Sequence, residues 1–493
     1  MTLSIGAILG LDYFFQCETK FQGVNIHKGG CVDRYTYKND KTMLHKIRRI
    51  LKPTRLNQKI LGLAIPVFFG MISYTAIMVA DTAMVGKLGE VPLASVGFGG
   101  MVYFSIFAFL MGGSMAVQII VARRFGEKNE RGVGITLVNS IYLSLVLGSL
   151  LSYFGYIYAP NLMAWIGDDP EVIEVAGVYL SYRFIGTVLF FVGFALRGFF
   201  DGIGIVQVGM ISSIVAAVTN IFFNWLLIFG NWGFPAMGVK GAAIASSLSS
   251  VPSLLVVVFY FFRKDVIKFF RYQIFSPSYE ILKELCVVGF APALEGTLVN
   301  FAFSGFYKIA GMISTTTLAS ASVVLTCLSL SFMPGFSFGI AATTILGQAM
   351  GQGKIRLAYE GTMRSATFSA IVMGSMGLFF ILGGPWLISL FTDVPAVMKE
   401  AYPALCIVAL IQVGDAYHMV VGSALRSAGM MYYVMYVYLI VSFLIMLPLA
   451  YLFGIVLAWG TIGIWSAFFI WILMMAVLFV GKFRRKEWVS IRI

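Results

Sequence analysis

Charge is what this chain of 493 residues has least of. Asp, Glu, Lys and Arg together make up 12% of it, about half the ~25% usual in soluble domains. Histidine is scarcer still, with three copies. The five cysteines, Cys17, Cys31, Cys286, Cys327 and Cys406, are scattered, and three of them fall in apolar runs, so no disulfide framework or metal-ligand spacing emerges. Cys17, His27 and Cys31 come nearest to a metal motif, at a spacing chance readily supplies. A Gly-x-x-x-x-Gly-Lys-Ser/Thr phosphate loop is missing, which removes ATP bound to this chain as an energy source. No His/Cys metal pair or serine-triad spacing stands out on a loop, so neither enzyme chemistry nor an organic cofactor is expected.

What is there instead is apolar. Hydrophobic residues make up 59% of the chain and the mean hydropathy is +0.89, the composition of a polytopic, all-α membrane protein. The formal net charge of +13 does not point to nucleic acid, because the basic residues sit in short loops between apolar spans. Residues 1–42 are mixed, polar and aperiodic and read as a disordered extension, followed by a basic segment over 43–58. The stretch Leu3–Leu11 lacks a basic flank and a cleavage pattern, so no secretory signal is read, and Met43 makes an alternative start.

The most telling stretch is Lys59–Gly89. Ile60–Ala80 carries no charge and is long enough to span a bilayer; then Asp81 appears with apolar residues on both sides. Counting about 1.5 Å per residue from Gly86 puts Asp81 roughly 7 Å below the outer surface. An acid there is expensive and usually faces a cavity or a partner; capping or snorkelling is the plainer alternative.

Charge-free runs and their Gly/Pro breaks predict twelve transmembrane helices. Six lie near 60–85, 92–121, 132–160, 171–200, 206–230 and 239–262, and six near 281–307, 318–348, 362–390, 397–425, 430–454 and 460–481. They fall into an N-lobe over 59–262 and a C-lobe over 281–481, joined by a loop over 263–280 and closed by a basic tail over 482–493. Arg123, Arg124, Lys128, Arg131, Arg263, Lys264, Lys354, Arg356 and the tail share one side, so both termini are expected in the cytoplasm. The halves repeat: Leu93-Ala94-Ser95 returns 225 residues on as Leu318-Ala319-Ser320, and Gly126 as Gly351. Asp168-x-Pro170 returns as Asp393-x-Pro395, Leu196-Arg197 as Leu425-Arg426, and Gly238-x-x-Gly241 as Gly460-x-x-Gly463. Six crossings per repeat give both halves one orientation, related by a pseudo-two-fold axis along the membrane normal, with a cavity expected between them.

VADTAMVGKLG (Val79–Gly89), VARRFG (Val121–Gly126) and NIFFNWLLIFG (Asn220–Gly230) carry a resemblance, as do FPAMGVKGAAIA (Phe234–Ala245) and SFMPGFSFGIAATT (Ser331–Thr344). From about residue 55 onward the chain resembles the multidrug and toxic compound extrusion (MATE) family of secondary transporters. The resemblance implies two six-helix lobes in a V, exporting amphipathic, often cationic, compounds in exchange for protons or sodium ions. It also implies a monomer in the bacterial inner membrane whose contacts are small molecules and lipid. Asp81 matches the family's first-helix acid. Asn220 and Asn224 share a face of the fifth helix at nearly its depth, and Ser246 falls at a similar level on the sixth. Together these four suggest a cation or proton site, although the Asn pair could simply glue helices. Some relatives carry Asp where this chain has Asn224, which leaves proton or metal ion open.

In the C-lobe the candidates are Glu295, three residues after Pro292, and Asp415, in Gln412-Val-Gly-Asp-Ala416. Glu295 matches one bacterial branch; other relatives place an acid near Asn300, about 140° away around a helix. Asp415 looks like the tenth-helix acid of a different branch, so the coupling ion stays open between proton and sodium, with Asp81 or Asp415 as the places a sodium ion could take. His418, one turn on, either pairs with Asp415 or is structural. Arg183 has no obvious partner and is read as packing or snorkelling. Three acids against one arginine within the spans favour cationic cargo over the rival reading, a lipid or lipid-linked oligosaccharide flippase, which would need a basic cavity.

Overall fold

Backbone polar groups in a bilayer have to be satisfied within the chain, and the computed structural model, which describes residues 52–269 and 277–491, satisfies them with helices. The expectations for residues 1–42 and Met43 lie outside the described residues. The first half contains α1 (Arg55–Gly86), α2 (Glu90–Gly126), α3 (Glu130–Ile166), α4 (Pro170–Ile185 and Thr187–Ile203), α5 (Gln207–Phe229) and α6 (Gly238–Phe261). The second contains α7 (Tyr279–Ile313), α8 (Thr315–Gly351), α9 (Ile355–Leu382), α10 (Pro395–Ser427), α11 (Met431–Val456) and α12 (Gly460–Arg484). Eleven are long and apolar enough to cross a membrane on their own, and the bent α4 makes the twelfth.

Local chemistry sets the helix starts. Thr54 caps α1 by accepting from Asn57 N at 3.2 Å, Asn129 caps α3 through Gly132 N at 2.8 Å, and Ser314 caps α8 through Thr317 N at 2.9 Å. Asp169 caps α4, where Pro170 occupies a first-turn position that needs no donor. α2, α3 and α8 each run 37 residues, roughly 55 Å at the rise of an α-helix, well beyond a bilayer core of about 30 Å.

Two expected spans differ from the structure. The fourth, expected as one helix, bends by 48° at Gly186. A Cβ on Gly186 would lie 2.5 Å from Ser247 Oγ of α6, so the break sits where the two helices touch. The ninth begins earlier than expected, at Ile355, and stops at Leu382, where the Gly383-Gly384-Pro385 turn starts a short helix, Gly384–Ser389. The breaks expected between 307 and 318 and between 454 and 460 fall at Ser314 and at Ala458–Gly460.

Several of the repeated glycines sit at turns or close contacts. Gly238 and Gly460 both take positive φ, +54° and +59°, at the start of α6 and α12. Three residues on, a Cβ at Gly241 or Gly463 would lie 2.5 Å from the carbonyl of Leu227 or Phe453, so each helix pair crosses backbone to backbone. Gly126 and Gly351 answer each other across the halves: their Cβ atoms would lie 2.2 Å from Gln348 O and 2.1 Å from Arg123 O.

The basic end ties the halves together further. Lys59 Nζ donates to Gln348 Oε1 at 2.8 Å, and Gln348 Nε2 donates to Gly202 O at 2.8 Å. Gln118 Nε2 donates to Thr344 Oγ1 at 3.0 Å, whose hydroxyl donates to Asp201 O at 2.8 Å. Arg124 pairs with Glu284 at 2.6 Å, and Arg123 donates to Ile491 O at 2.8 Å, which brings the C-terminal segment to the same end. At the other end of the C-half, Glu400 of α10 accepts from Thr317 of α8 and Thr461 of α12 at 2.9 and 2.5 Å, so one carboxylate joins three helix starts.

Because Gly126 faces backbone that cannot swing away, Gly126→Ala is expected to cost about 1–3 kcal/mol. Gly97→Ala, which meets nothing within 4 Å, should cost little. Thermal denaturation of the two purified variants in detergent checks this; equal midpoints would mean that the halves do not pack tightly at Gly126.

Candidate functional site

Asp81 lies on α1 where the helix passes α5 and α6. One of its oxygens, Oδ1, accepts from Asn224 Nδ2, and the other accepts from Ser246 Oγ at 3.5 Å. Asn224 Nδ2 also donates to Asn220 Oδ1 at 3.0 Å, and Asn220 Nδ2 donates to Ser246 Oγ at 3.3 Å. All four residues expected at one depth of the N-half are therefore in direct contact. The one-turn spacing of the asparagines aims both amides at the same point. Asn220, Asn224 and Ser246 are buried, and Asp81 is partly open. Asn224 Oδ1 is buried with no hydrogen-bond donor. A carboxylate, two amide oxygens and a hydroxyl thus gather around a spot with an acceptor to spare, which suits a cation or a proton-carrying water.

Arg183, on α4, is buried and does not snorkel. Its guanidinium carbon sits 4.9 Å from the ring centre of Tyr103 and 5.5 Å from that of Phe190, and Nη1 makes no hydrogen bond. It lies within electrostatic reach of Asp81. It is no ion-pair partner, since no ion pair among the described residues includes Asp81.

The C-half acids are built differently. Glu295 of α7 accepts from Arg426 of α10 in a two-pronged pair, Nη2 to Oε1 at 2.6 Å and Nε to Oε2 at 3.1 Å, and both side chains are buried. Asp415 Oδ1 lies 3.0 Å from His418 Nδ1, and His418 Nε2 lies 2.6 Å from the hydroxyl of Tyr438 on α11. The Tyr438 ring in turn lies under the Arg426 guanidinium, 5.9 Å from its carbon. Glu295 and Asp415, read from the sequence as marks of two different branches, therefore belong to one chain of contacts: Asp415, His418, Tyr438, Arg426, Glu295. The pairing of His418 with Asp415 is the form the structure takes.

Two parts of this chain were missed in the sequence. Tyr438 sits in a run of aromatic and aliphatic residues that gives no sign of a polar partner. Arg426 entered only as half of a repeated Leu-Arg pair, although a charge inside a span is itself a signal. The count of one arginine in the spans is accordingly corrected: Arg197 lies on α4, 3.8 Å from Asp201, and Arg426 lies on α10. The charge-balance argument for cationic cargo loses its force.

The repeat equivalents of the Asp81 cluster are apolar. The 225-residue offset takes Asp81 to Phe306, and matching the Leu227 and Phe453 crossings takes Asn220 and Asn224 to Met446 and Ala450. Ser246 corresponds to Phe468, and all four equivalents are buried, with the Phe306 and Phe468 rings 5.9 Å apart. The polar cluster therefore exists in one half only. Two surface grooves, about 350 and 440 Å³, also lie within the N-half, one beside Ile185 at the α4 bend and one between Leu88 and Val239.

The family model described as MatE matches residues 66–226 and 293–452, once in each half. A probable multidrug resistance protein NorM of Bacillus subtilis is 26% identical over 420 residues, covering 83% of this chain and 91% of the relative. The Bacillus cereus protein of the same description is 28% identical over 421 residues, with the same coverage. A multidrug resistance MATE family transporter of the MOP superfamily, solved in an outward-facing conformation, matches with a TM-score of 0.82 at 23% identity, over 90% of this chain and 98% of that one. A MOP superfamily transporter from Pyrococcus furiosus, described as having a binding pocket of reverse polarity, matches with a TM-score of 0.81 at 22% identity and the same coverage. At these identities the structural likeness is one of fold.

Removing one partner of a buried ion pair strands the other, at a cost of about 3–5 kcal/mol. Glu295→Gln should therefore lower stability by that order, and adding Arg426→Gln should recover part of the loss. Denaturation midpoints of the single and double variants check the coupling; purely additive losses would show that the pair contributes nothing specific.

Proposed function

Because this chain belongs to the MatE family of membrane transporters, we propose that it is a secondary active multidrug exporter. It exchanges amphipathic organic cations for protons or sodium ions by alternating access. The observation that carries this reading is the cluster of Asp81, Asn220, Asn224 and Ser246, which joins α1, α5 and α6 around an acid inside a spanning helix. An ionisable group in that position calls for a role in an ion or proton path. The curated relatives, described as probable multidrug resistance proteins, support drugs as the cargo.

The coupling works through a difference in affinity. A cation shifts the balance between inward- and outward-open forms only by as much as it binds one of them better. Occupation of the Asp81 cluster reorganises the α1, α5 and α6 contacts that the carboxylate holds, and cargo release outward follows from that change. The ties between Lys59, Gln348 and Gly202 and between Gln118, Thr344 and Asp201 gather toward the basic end. They support reading the present form as closed to the cytoplasm, with that end inside the bacterial plasma membrane and the chain acting as a monomer. In the C-half Asp415 and His418 form a second acid–imidazole pair, which Tyr438 and Arg426 link to Glu295.

The test is cargo uptake into proteoliposomes under separately imposed proton and sodium gradients, with Asp81→Asn alongside. Wild-type protein should accumulate cargo under at least one gradient. Asp81→Asn should insert normally, since it removes a buried charge and keeps the shape, yet fall to the level of protein-free vesicles. Wild-type transport indifferent to both gradients would sink the antiport reading, and an unimpaired, well-inserted Asp81→Asn would sink the role of this cluster.

A further inference from the structure

We propose that Arg426 is a tethered counter-cation that closes the acids of the C-half, Glu295 and Asp415, to a free metal cation. Its relevance to transport rests on the antiport reading above; the binding claim itself does not.

Three observations carry it. First, both oxygens of Glu295 are taken by the Arg426 fork at 2.6 and 3.1 Å, deep in the protein. A guanidinium keeps its proton at any pH a cell reaches, so this positive charge is permanent and cannot dissociate. A second cation beside it would meet like-charge repulsion in a medium that screens poorly. Second, the groups facing the C-half acids are nitrogen and phenol rather than carbonyl oxygen. Asp415 is met by the His418 ring, which is held by Tyr438 and walled by Phe479 and Trp471 at ring-centre distances of 5.8 and 6.1 Å. Glu295 and Asp415 are bridged through Arg426, Tyr438 and His418, and no three His, Cys, Asp or Glu residues among those described gather to hold a metal. The N-half cluster is the converse: carboxylate, amide and hydroxyl oxygens, with Asn224 Oδ1 unpaired.

Third, the repeat shows that the acid was matched to the arginine. Arg197 is the repeat mate of Arg426, and Gly70 stands where Glu295 stands in the second half. A Cβ on Gly70 would lie 3.6 Å from Arg197 Nη2, so the arginine of each half reaches the same place on its partner helix. In the N-half no acid waits there, and Arg197 turns to Asp201 on its own helix at 3.8 Å. Arg197 is thus held away from Asp81, and Arg183, within electrostatic reach of that carboxylate, makes no ion pair with it. The C-half arginine takes the position where a free cation would have to compete for Glu295.

Binding of radiolabelled sodium to purified protein in detergent, with choline as the balancing ion, tests this without any transport step. Asp81→Asn protein should bind no sodium saturably. In the Asp81→Asn background, Arg426→Gln should open a saturable site at the released Glu295, and adding Glu295→Gln should abolish it again. Saturable binding by Asp81→Asn protein would overturn the proposal outright. A folded Asp81→Asn/Arg426→Gln protein that gains no sodium would overturn the part assigned to Arg426. If Arg426→Gln protein cannot be recovered, the Asp81→Asn measurement decides alone, since the C-half acids are intact in it. Failure of the antiport reading looks different: wild-type cargo uptake would ignore both gradients whatever the sodium-binding measurements give.

Discussion

A charge inside a low-dielectric protein has to be met by something, and most of what distinguishes the two halves follows from how each meets its acids. Asp81 is met by dipoles: two amides and a hydroxyl that can serve a charged or a neutral carboxyl, and that leave Asn224 Oδ1 unpaired. Glu295 is met by a full opposite charge in a two-pronged pair. The first arrangement suits an acid whose occupancy changes, because no permanent partner cancels it. The second suits an acid that holds helices in register, because breaking it strands a guanidinium.

The internal repeat makes that contrast legible. The halves keep the same backbone crossings at Gly241 and Gly463, the same left-handed starts at Gly238 and Gly460, and reciprocal contacts at Gly126 and Gly351. Gly126, Gly241, Gly351 and Gly463 leave no room for a side chain, so they hold the architecture fixed while the interior diverges. Where the first half places Asp81, Asn220, Asn224 and Ser246, the second packs Phe306, Met446, Ala450 and Phe468. The second half instead builds its polar chain from α7, α10 and α11. A pseudo-symmetric frame thus holds asymmetric contents.

Much of this was readable in the chain. The depth and shared face of Asp81, Asn220, Asn224 and Ser246 follow from counting residues along helices, and the structure brings all four into contact. The turns at Ser314 and Ala458–Gly460 were legible because an uncharged run longer than a bilayer has to reverse somewhere. The bend of α4 was not legible, since Gly186 matters through Ser247 on a helix some sixty residues away. The treatment of Glu295 and Asp415 as separate marks likewise could not be resolved along the chain, because their link runs through Arg426 and Tyr438 on two different helices.

The sequence by itself determined the membrane class and twelve crossings in two repeated halves. These are properties of hydropathy, loop charge and helical rise, which act residue by residue along one dimension. Only the tertiary structure decided which buried charges face one another: that Arg426 reaches Glu295, that Arg197 turns to Asp201, and that Asp81 is left to amides. Electrostatic pairing falls off over a few ångströms in space and is indifferent to distance along the chain, so it is settled by helix packing and by nothing the local sequence carries.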